Sequence, residues 1–405
     1  MLDTYTNNDV KAAVIANTKL ATSVHKFGGS SLANSQCINR VLTIIEQHCG
    51  ANDVIVVSAN GKTTDKLFTL LDCTSEADFE QHIKELVAAQ SLLINELLSS
   101  PSELLQTLTL DAEYITRAFE NGQFETKRND ILAFGEVWSA RLLAAFVTEK
   151  IAPANFIDAR QVLLLESNNN FQVNEAQSFV QLNEQKQIDS INIVTGYIAK
   201  DEQGNTQTLG RNGSDYSATI IAHLLNAQSV TLWTDVDGVY SADPRIINTA
   251  RKLHRIENAV AKELGRLGNP VLHANTLVPL ETHSIPLNVA SSFAPQDQGT
   301  EIGVFGEIAK SELSVTNAND LIKINSGQFT DQLLEQIKAR YQPLHQCDDK
   351  TCVVISNQFS DLALHFLQQQ GIEYTVQNVS LIAVVGFEVA NRGEIKARFK
   401  RALKG

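Results

Sequence analysis

The sequence predicts an α/β protein: a mostly parallel sheet flanked by helices, followed by a smaller ferredoxin-like α+β domain. Three observations predict it. Short continuous apolar runs, DVIVVSA at 53–59 and SVTLWTDV at 229–236, have the pattern of strands buried on both faces. Segments of helical period separate such runs, which is the βαβ alternation of a parallel sheet. The composition then shifts at 295–312 (PQDQGTEIGVFGEIAKSE), and beyond it the alternation restarts on a shorter scale.

Residues 1–20 read as a short extension. TSVHKF is a strand that runs into Gly28-Gly29, and Ile38, Val41, Leu42 and Ile45 follow on one helical face. After the 53–59 strand, the loop NGKTTD leads to another helix. Residues 76–127 are rich in Leu, Glu and Gln at helical spacing and read as a helical insertion. A further apolar-faced helix over 129–149 carries Gly135-Glu136. INIVTGYIA (191–199) reads as one strand, DEQGN as a turn and TQTLG as a second strand. Ser214 to Asn226 is a helix, 229–236 a buried strand, and NVASS (288–292) a last short strand. Beyond 312, LIKIN, a helix at 331–340, CVVIS, a helix at 361–369, EYTVQ and LIAVVGF approach the order β-α-β-β-α-β. LIAVVGF, the most apolar of these strands, is expected at the centre of the small sheet. The terminal helix carries Arg392, Lys396, Arg398, Lys400, Arg401 and Lys404 against Glu394, either as a solvated face or as a contact surface.

The formal net charge is −13. That argues against a general nucleic-acid binder, which needs a basic stripe, but leaves room for a local anion pocket. Five cysteines (37, 49, 73, 347, 352) are scattered without a CxxC, so reduced thiols in a cytoplasmic setting are expected. No run approaches the roughly 18 apolar residues of a membrane helix. The N-terminus lacks the basic start and apolar run of a signal peptide.

Three segments carry chemistry. In Lys26-Phe27-Gly28-Gly29-Ser30-Ser31, two glycines between strand and helix let backbone N–H groups approach a phosphate, with Lys26 as a point charge. The same hexapeptide also reads as a tight β–α turn with a surface lysine. Gly61-Lys62-Thr63 resembles the end of a P-loop, but position 56 is Val, and GxGxxG occurs nowhere. In LGRNGSDYSA (209–218), Arg211 has the fork geometry to clamp a carboxylate, while Ser214 and Asp215 read equally as helix caps. TDVDGVYSADPR (234–245) follows a buried strand, where open α/β sheets place ligands, or is simply a turn. Glu136, on an apolar helix, reads alone as a residue of its solvated edge.

KFGGSS, VVSA followed by Thr64, FGEVWSARL, LGRNGSDYSA, WTDVDGVYSADPR and PVLHANTL occur together and in this order. Over residues 22–303 they resemble the aspartokinases of the amino-acid-kinase fold, most closely the kinase portion of methionine-type bifunctional aspartokinase–homoserine dehydrogenases. The remainder resembles an ACT-like region more loosely. The resemblance implies a catalytic domain over 21–305 and an ACT-like regulatory or linker domain over 313–405. It implies Lys26 and Asp215 as catalytic residues, and Lys26, Gly28, Gly29, Ser30, Thr234, Asp235, Tyr240 and Arg245 as ATP-binding residues. It implies Ser58, Thr64, Glu136, Arg211, Ser214 and Asp215 around L-aspartate. ATP and Mg²⁺ are the implied cofactors, with no metal-ligating side chain assigned, and the expected reaction gives 4-phospho-L-aspartate. Pro270 stands where many family members have a lysine that contacts ATP. The expected partner beyond aspartate is a second copy of the chain, joined through 313–405, with neither nucleic acid nor membrane. Another acceptor within the same fold, or a catalytically silent ligand-binding subunit, are the competing readings. Without GxGxxG, homoserine dehydrogenase activity is not expected of this chain.

Overall fold

The structure is a computed structural model that describes residues 22–166, 172–305, 313–341, 343–347, 349–386, 389 and 393–402. The expected extension at 1–20 lies outside them. The chain divides into two compact units, Met1–Gly238 with Asn275–Val304, and Val239–Ala274 with Phe305–Gly405. Segment 239–274 thus groups with the C-terminal residues, although the sequence pattern runs it on from the first domain.

In the first unit the sheet order is β3 (Ala154–Ile157), β5 (Ile191–Thr195), β2 (Val54–Val57), β1 (Val24–Phe27), β8 (Val230–Thr234), β10 (Leu287–Ser291) and β11 (Thr300–Gly303). All neighbours pair in parallel except β10 with β11. β2 and β5 are buried at every residue, as strands covered on both faces must be. The covering helices include α1 (Ser35–His48), α2 (Thr63–Leu71), α3 (Glu76–Leu97), α4 (Ser102–Glu120) and α5 (Phe124–Lys150). Asn34 caps α1 by accepting from the Cys37 N–H at 2.9 Å, and Ser75 caps α3 through the Asp78 N–H at 3.1 Å. Phe27, Ile44, Ile55, Leu67 and Ile131 belong to one continuous core. α3 and α4 supply the helical character expected of 76–127.

Two expectations change here. The run 191–199 is not one strand: β5 ends at Thr195, and β6 (Ile198–Asp201) joins a separate small sheet with β4 (Leu164–Leu165) and β7 (Thr206–Thr208). The break falls at Gly196-Tyr197, where Tyr197 takes a left-handed φ of 68°. Also, α5 contains an 18-residue window of mean hydropathy 1.5, long enough to cross a bilayer. It is not an unbroken apolar run, because Gly135, Glu136, Ser139 and Arg141 interrupt it, and 78% of the window is buried inside the protein. α6 (Glu175–Gln185) and α7 (Gly213–Leu225) complete the βα pattern, and α9 (Ala274–Glu281) follows the 239–274 excursion.

In the second unit, β12 (Leu313–Asn325), α10 (Asp331–Tyr341), β13 (His345–Gln346), β14 (Cys352–Ser356), α11 (Ser360–Gln369) and β15 (Thr375–Gly386) form an antiparallel sheet in the order β13-β14-β12-β15. That is the ferredoxin-like arrangement. Leu334, Ile337, Phe366 and Leu367 of the helices pack on Ile324 and Ile355 of the sheet. α8 (Asn258–Arg266), preceded by β9 (Arg255–Glu257), belongs to the same unit. Gly268, just after α8, comes so close that a Cβ would lie 3.0 Å from that of Ala318 on β12.

TVQ (375–377) and LIAVVG (381–386) belong to one strand, β15, because Asn378 and Ser380 stay in register opposite Ile322 and the bulge at Ala318/Leu321; Phe387 lies outside the described residues. The strand lies at the sheet edge, not its centre, since among the described residues β12 alone pairs with it. Its alternating exposed positions leave Val376 40% and Ile382 48% exposed. Cys347 and Cys352, expected as free thiols, are joined by a disulfide. The hairpin sets their Cα atoms 5.2 Å apart, within bridging distance, and the Cys347 N–H donates to the Cys352 carbonyl at 3.0 Å. Cys37, Cys49 and Cys73 are free. In the terminal helix α12 (Gly393–Ala402), Lys396, Arg398 and Arg401 are exposed; Arg392, Lys404 and the Lys400 side chain lie outside the described residues.

Candidate active site

β1, β2, β5, β8 and β10 run the same way, so their carboxyl ends line one edge of the sheet, where ligands of open α/β sheets bind. At this edge Lys26 Nζ lies 2.6 Å from Asp215 Oδ1, with the two side chains 11% and 18% exposed. Asp215 sits in the first turn of α7, where the helix dipole favours a carboxylate. The Gly28 N–H donates to the Trp233 carbonyl at 3.2 Å. A Cβ on Gly28 would stand 3.5 Å from Lys26 Nζ, so its absence keeps the approach to the ammonium open. Gly29 is fixed more tightly: a Cβ there would meet the carbonyl oxygens of Gly61 at 2.9 Å and Ala59 at 3.0 Å. Ser30 is exposed beside it.

A second cluster adjoins the end of β2. The Ser58 N–H donates to the Phe27 carbonyl at 3.1 Å, which fixes the VSA turn against β1. A Cβ on Gly135 would come within 2.9 Å of the Ala59 Cβ and 3.5 Å of Thr64 Oγ1. That missing side chain lets α5 close on the turn and delivers Glu136 to it. Glu136 is only 3% exposed, the opposite of the solvated edge that its sequence context suggests. Its Oε1 accepts from the Ala59 N–H at 3.3 Å, while Oε2 is buried without a partner. Burial pushes its pKa up to about 8, against the opposing pull of the Ala59 N–H and the Lys26 charge.

α7 closes the third side. A Cβ on Gly196 would lie 2.6 Å from the Ser214 Cβ, so the helix start sits directly on the end of β5. Ser214 is buried; Arg211 is exposed in the turn before the helix, which Asn212 enters with φ 57°. The Tyr197 ring lies against Gly213, and the Tyr197 N–H donates to Ser217 Oγ at 3.0 Å.

At the end of β8, Thr234 Oγ1 donates to Asp235 Oδ1 at 3.1 Å, and Asp235 is exposed. Tyr240 and Arg245 belong to the second unit. There Tyr240 forms an antiparallel bridge with Lys252. Arg245 holds Asp243 through Nε at 3.0 Å and Nη2 at 2.8 Å, which keeps the Asp243 carboxyl below its ordinary pKa. Pro270 is exposed in that unit as well.

The first unit therefore gathers Lys26, Gly28, Gly29, Ser58, Thr64, Glu136, Ser214 and Asp215 along one sheet edge. Sequence reading missed the Ala59 N–H, Gly135 and Gly196 as parts of the site. The available signal was a glycine inside an apolar run, which marks close approach without naming what approaches. The arrangement offers a paired ammonium, a glycine turn without side chains beside it, and a buried carboxyl with one oxygen that has no hydrogen-bond partner among the described residues.

A model of the amino acid kinase family matches residues 21–291. The chain is 34% identical over 408 residues to the bifunctional aspartokinase/homoserine dehydrogenase 2 of Escherichia coli K12, covering 94% of this chain and 50% of that protein. It is 34% identical over 299 residues to the chloroplastic bifunctional aspartokinase/homoserine dehydrogenase 2 of Arabidopsis thaliana, covering 69% of this chain and 32% of the relative. The chain thus spans half or less of the length of these relatives. Among solved structures, E. coli aspartokinase III in complex with aspartate and ADP superposes with a TM-score of 0.75 at 25% identity, over 91% of this chain and 88% of that one.

Proposed function

The chain belongs to the amino acid kinase family, and we propose that it is an aspartate kinase, moving the γ-phosphoryl group of ATP to the side-chain carboxylate of L-aspartate. The observation that carries this reading is the Lys26–Asp215 pair beside the side-chain-free Gly28, with the buried Glu136 carboxyl close by on the same edge. The likeness to proteins named aspartokinases supports it.

The acceptor carboxylate has a pKa near ~4 and is ionised at neutral pH, so the reaction needs no general base. Its barrier is the approach of an anion to a polyanion, which positive charge and positioning must lower. Lys26 offsets charge on the transferring group, and Gly29 and Ser30 bring N–H groups to it; the Gly28 N–H is held by the Trp233 carbonyl, so Gly28 serves by its missing side chain. Asp215 orients Lys26. Glu136 faces the ammonium of the amino acid and Arg211 a carboxylate, with Ser58, Thr64 and Ser214 as hydrogen-bonding neighbours. Thr234 and Asp235 are assigned to the nucleotide on position and motif; Tyr240 and Arg245 are assigned on the motif WTDVDGVYSADPR alone. Among the described residues no group of three or more His, Cys, Asp or Glu side chains is placed to hold a metal. Mg²⁺ enters this proposal with ATP, where it would neutralise charge on the phosphates, and no metal-ligating side chain is assigned.

The catalytic part is assigned to 21–305 and an ACT-like part to 313–405. A homodimer through β15 is part of the proposal, because an edge strand presenting apolar side chains and unpaired backbone groups is a template for a second copy. So is a cytoplasmic setting, against which the Cys347–Cys352 bond stands, since such bonds are rare under reducing conditions. The test of the function is aspartate-dependent release of ADP from ATP and Mg²⁺ by the purified chain. ADP release that ignores aspartate, or follows another acceptor, would overturn it.

A further inference from the structure

Two serines outside the assigned site form a buried bridge across the nucleotide side of the edge. Ser31 and Ser292 are each 1% exposed and 261 residues apart, yet their hydroxyl oxygens are 2.7 Å from one another. Ser292 Oγ donates to the Thr234 carbonyl at 3.1 Å, and the Ser292 N–H donates to the same oxygen at 2.8 Å. Each hydroxyl has a single proton. With that of Ser292 given to Thr234, the Ser31 hydroxyl donates to Ser292. Its alternative acceptor, the Trp233 carbonyl, is 3.5 Å away and already takes the Gly28 N–H at 3.2 Å. The Ser31 N–H in turn donates to the Gly28 carbonyl at 3.0 Å. An unbroken chain of bonds therefore runs from Gly28 through Ser31 and Ser292 to Thr234.

We propose that Ser31 and Ser292 are positioning residues, a two-hydroxyl lock that fixes the glycine turn beside Lys26 to the carboxyl ends of β8 and β10. The inference rests on the aspartate-kinase reading for its consequence. The lock holds the N–H groups assigned to the phosphates in register with Thr234 and Asp235, assigned to the same nucleotide. Neither hydroxyl reaches solvent, so neither touches substrate, and both act through the backbone that they tie down. Registration of this kind matters because small misplacements of reacting groups cost large factors in rate.

The lock differs from mere satisfaction of buried polar groups in one measurable respect. Removing one hydroxyl leaves its partner's bonding incomplete, whereas removing both from a buried pair is close to neutral for stability. Ser31→Ala and Ser292→Ala should each lower stability, and the double variant should recover most of that loss. The KM for ATP should rise roughly fivefold in each single variant, the worth of about one net hydrogen bond. It should stay raised in the double variant, while the KM for aspartate changes little. Hydrogen exchange in the peptide covering 28–32 should quicken in all three. ATP and aspartate constants that move together, a double variant with wild-type KM for ATP, or unchanged exchange at 28–32 would each overturn the lock. If wild-type protein releases no ADP with aspartate, the aspartate-kinase reading fails, and exchange at 28–32 still decides the lock.

Discussion

Glu136 allows a prediction in which stability and binding are set against each other. Its carboxyl titrates at about 8 in the folded protein, against 4.5 when unperturbed, chiefly because burial disfavours the charge. A carboxyl whose folded pKa is raised contributes stability below its unfolded pKa and loses it as pH rises towards the folded one. Between about pH 5 and pH 7.5 the unfolded chain ionises Glu136 while the folded chain retains the proton. At about 1.4 kcal/mol per pH unit, the loss over that interval is about 3 kcal/mol. Glu136→Gln keeps the shape and removes the titration. In urea unfolding, the variant should therefore gain about 3 kcal/mol on the wild type between those two pH values. The same carboxyl should ionise when the ammonium of aspartate arrives beside it. Calorimetry at pH 7 in two buffers of different ionisation enthalpy should show a proton released on aspartate binding, and none in the variant. The variant should also raise the KM for aspartate by the equivalent of about 2–5 kcal/mol, with that for ATP almost unchanged. Parallel stability profiles would show that Glu136 is ionised in the free protein. Equal damage to both substrates would show that it supports the fold and not the acceptor.

Lys26→Ala should lower kcat by on the order of a hundredfold or more with a small effect on the KM for aspartate, because its charge acts on the phosphoryl group; near-normal turnover in steady-state assays would remove it from the mechanism. His25, 5% exposed, has its pKa lowered to about 4 by burial, against the weaker pull of Asp53. Its stabilising contribution is complete above the unfolded value of 6.5 and is lost as pH falls towards 4, about 3 kcal/mol in all, so unfolding curves for His25→Gln and wild type should diverge across that window. A constant difference between the two proteins would contradict this. Val376→Lys with Ile382→Lys, on the exposed side of β15, should halve the particle mass in light scattering; an unchanged mass rules out this edge as the dimer contact. Truncation after Gly306 is the poorer test, because it also strips the sheet from α8, which is part of the same compact unit.

The parts of the fold legible in the sequence are those decided by neighbours along the chain. VIVV and INIVT read as central strands because burial on both faces demands apolar residues at every position, and β2 and β5 are buried throughout. The parts that were not legible depend on partners far away. The apolarity of LIAVVGF suggests a central strand, yet strand position is set by pairing, and among the described residues β12 alone pairs with β15. Segment 239–274 carries no mark of belonging with 305–405, because its partner surface, near Ala318, lies about fifty residues downstream of Gly268.

The candidate site shows the same division in a sharper form. Three glycines shape it, and a Cβ on any of them would come within 3.0 Å of a specific neighbour: Gly29 against the carbonyls of Ala59 and Gly61, Gly135 against the Ala59 side chain, and Gly196 against Ser214. Ala59 is thus the common point on which the glycine turn and α5 both close. Its N–H is also the donor that holds Glu136 Oε1, leaving Oε2 unpaired. Close packing around one small residue therefore produces both the approach beside Lys26 and the desolvation that raises the Glu136 pKa. A larger side chain at position 59 would push α5 away at Gly135, whereas Gly29 packs on the backbone carbonyl of residue 59. Alanine in VVSA reads in the sequence only as the end of a strand, because its consequence depends on Gly29 and Gly135, thirty residues before it and seventy-six after.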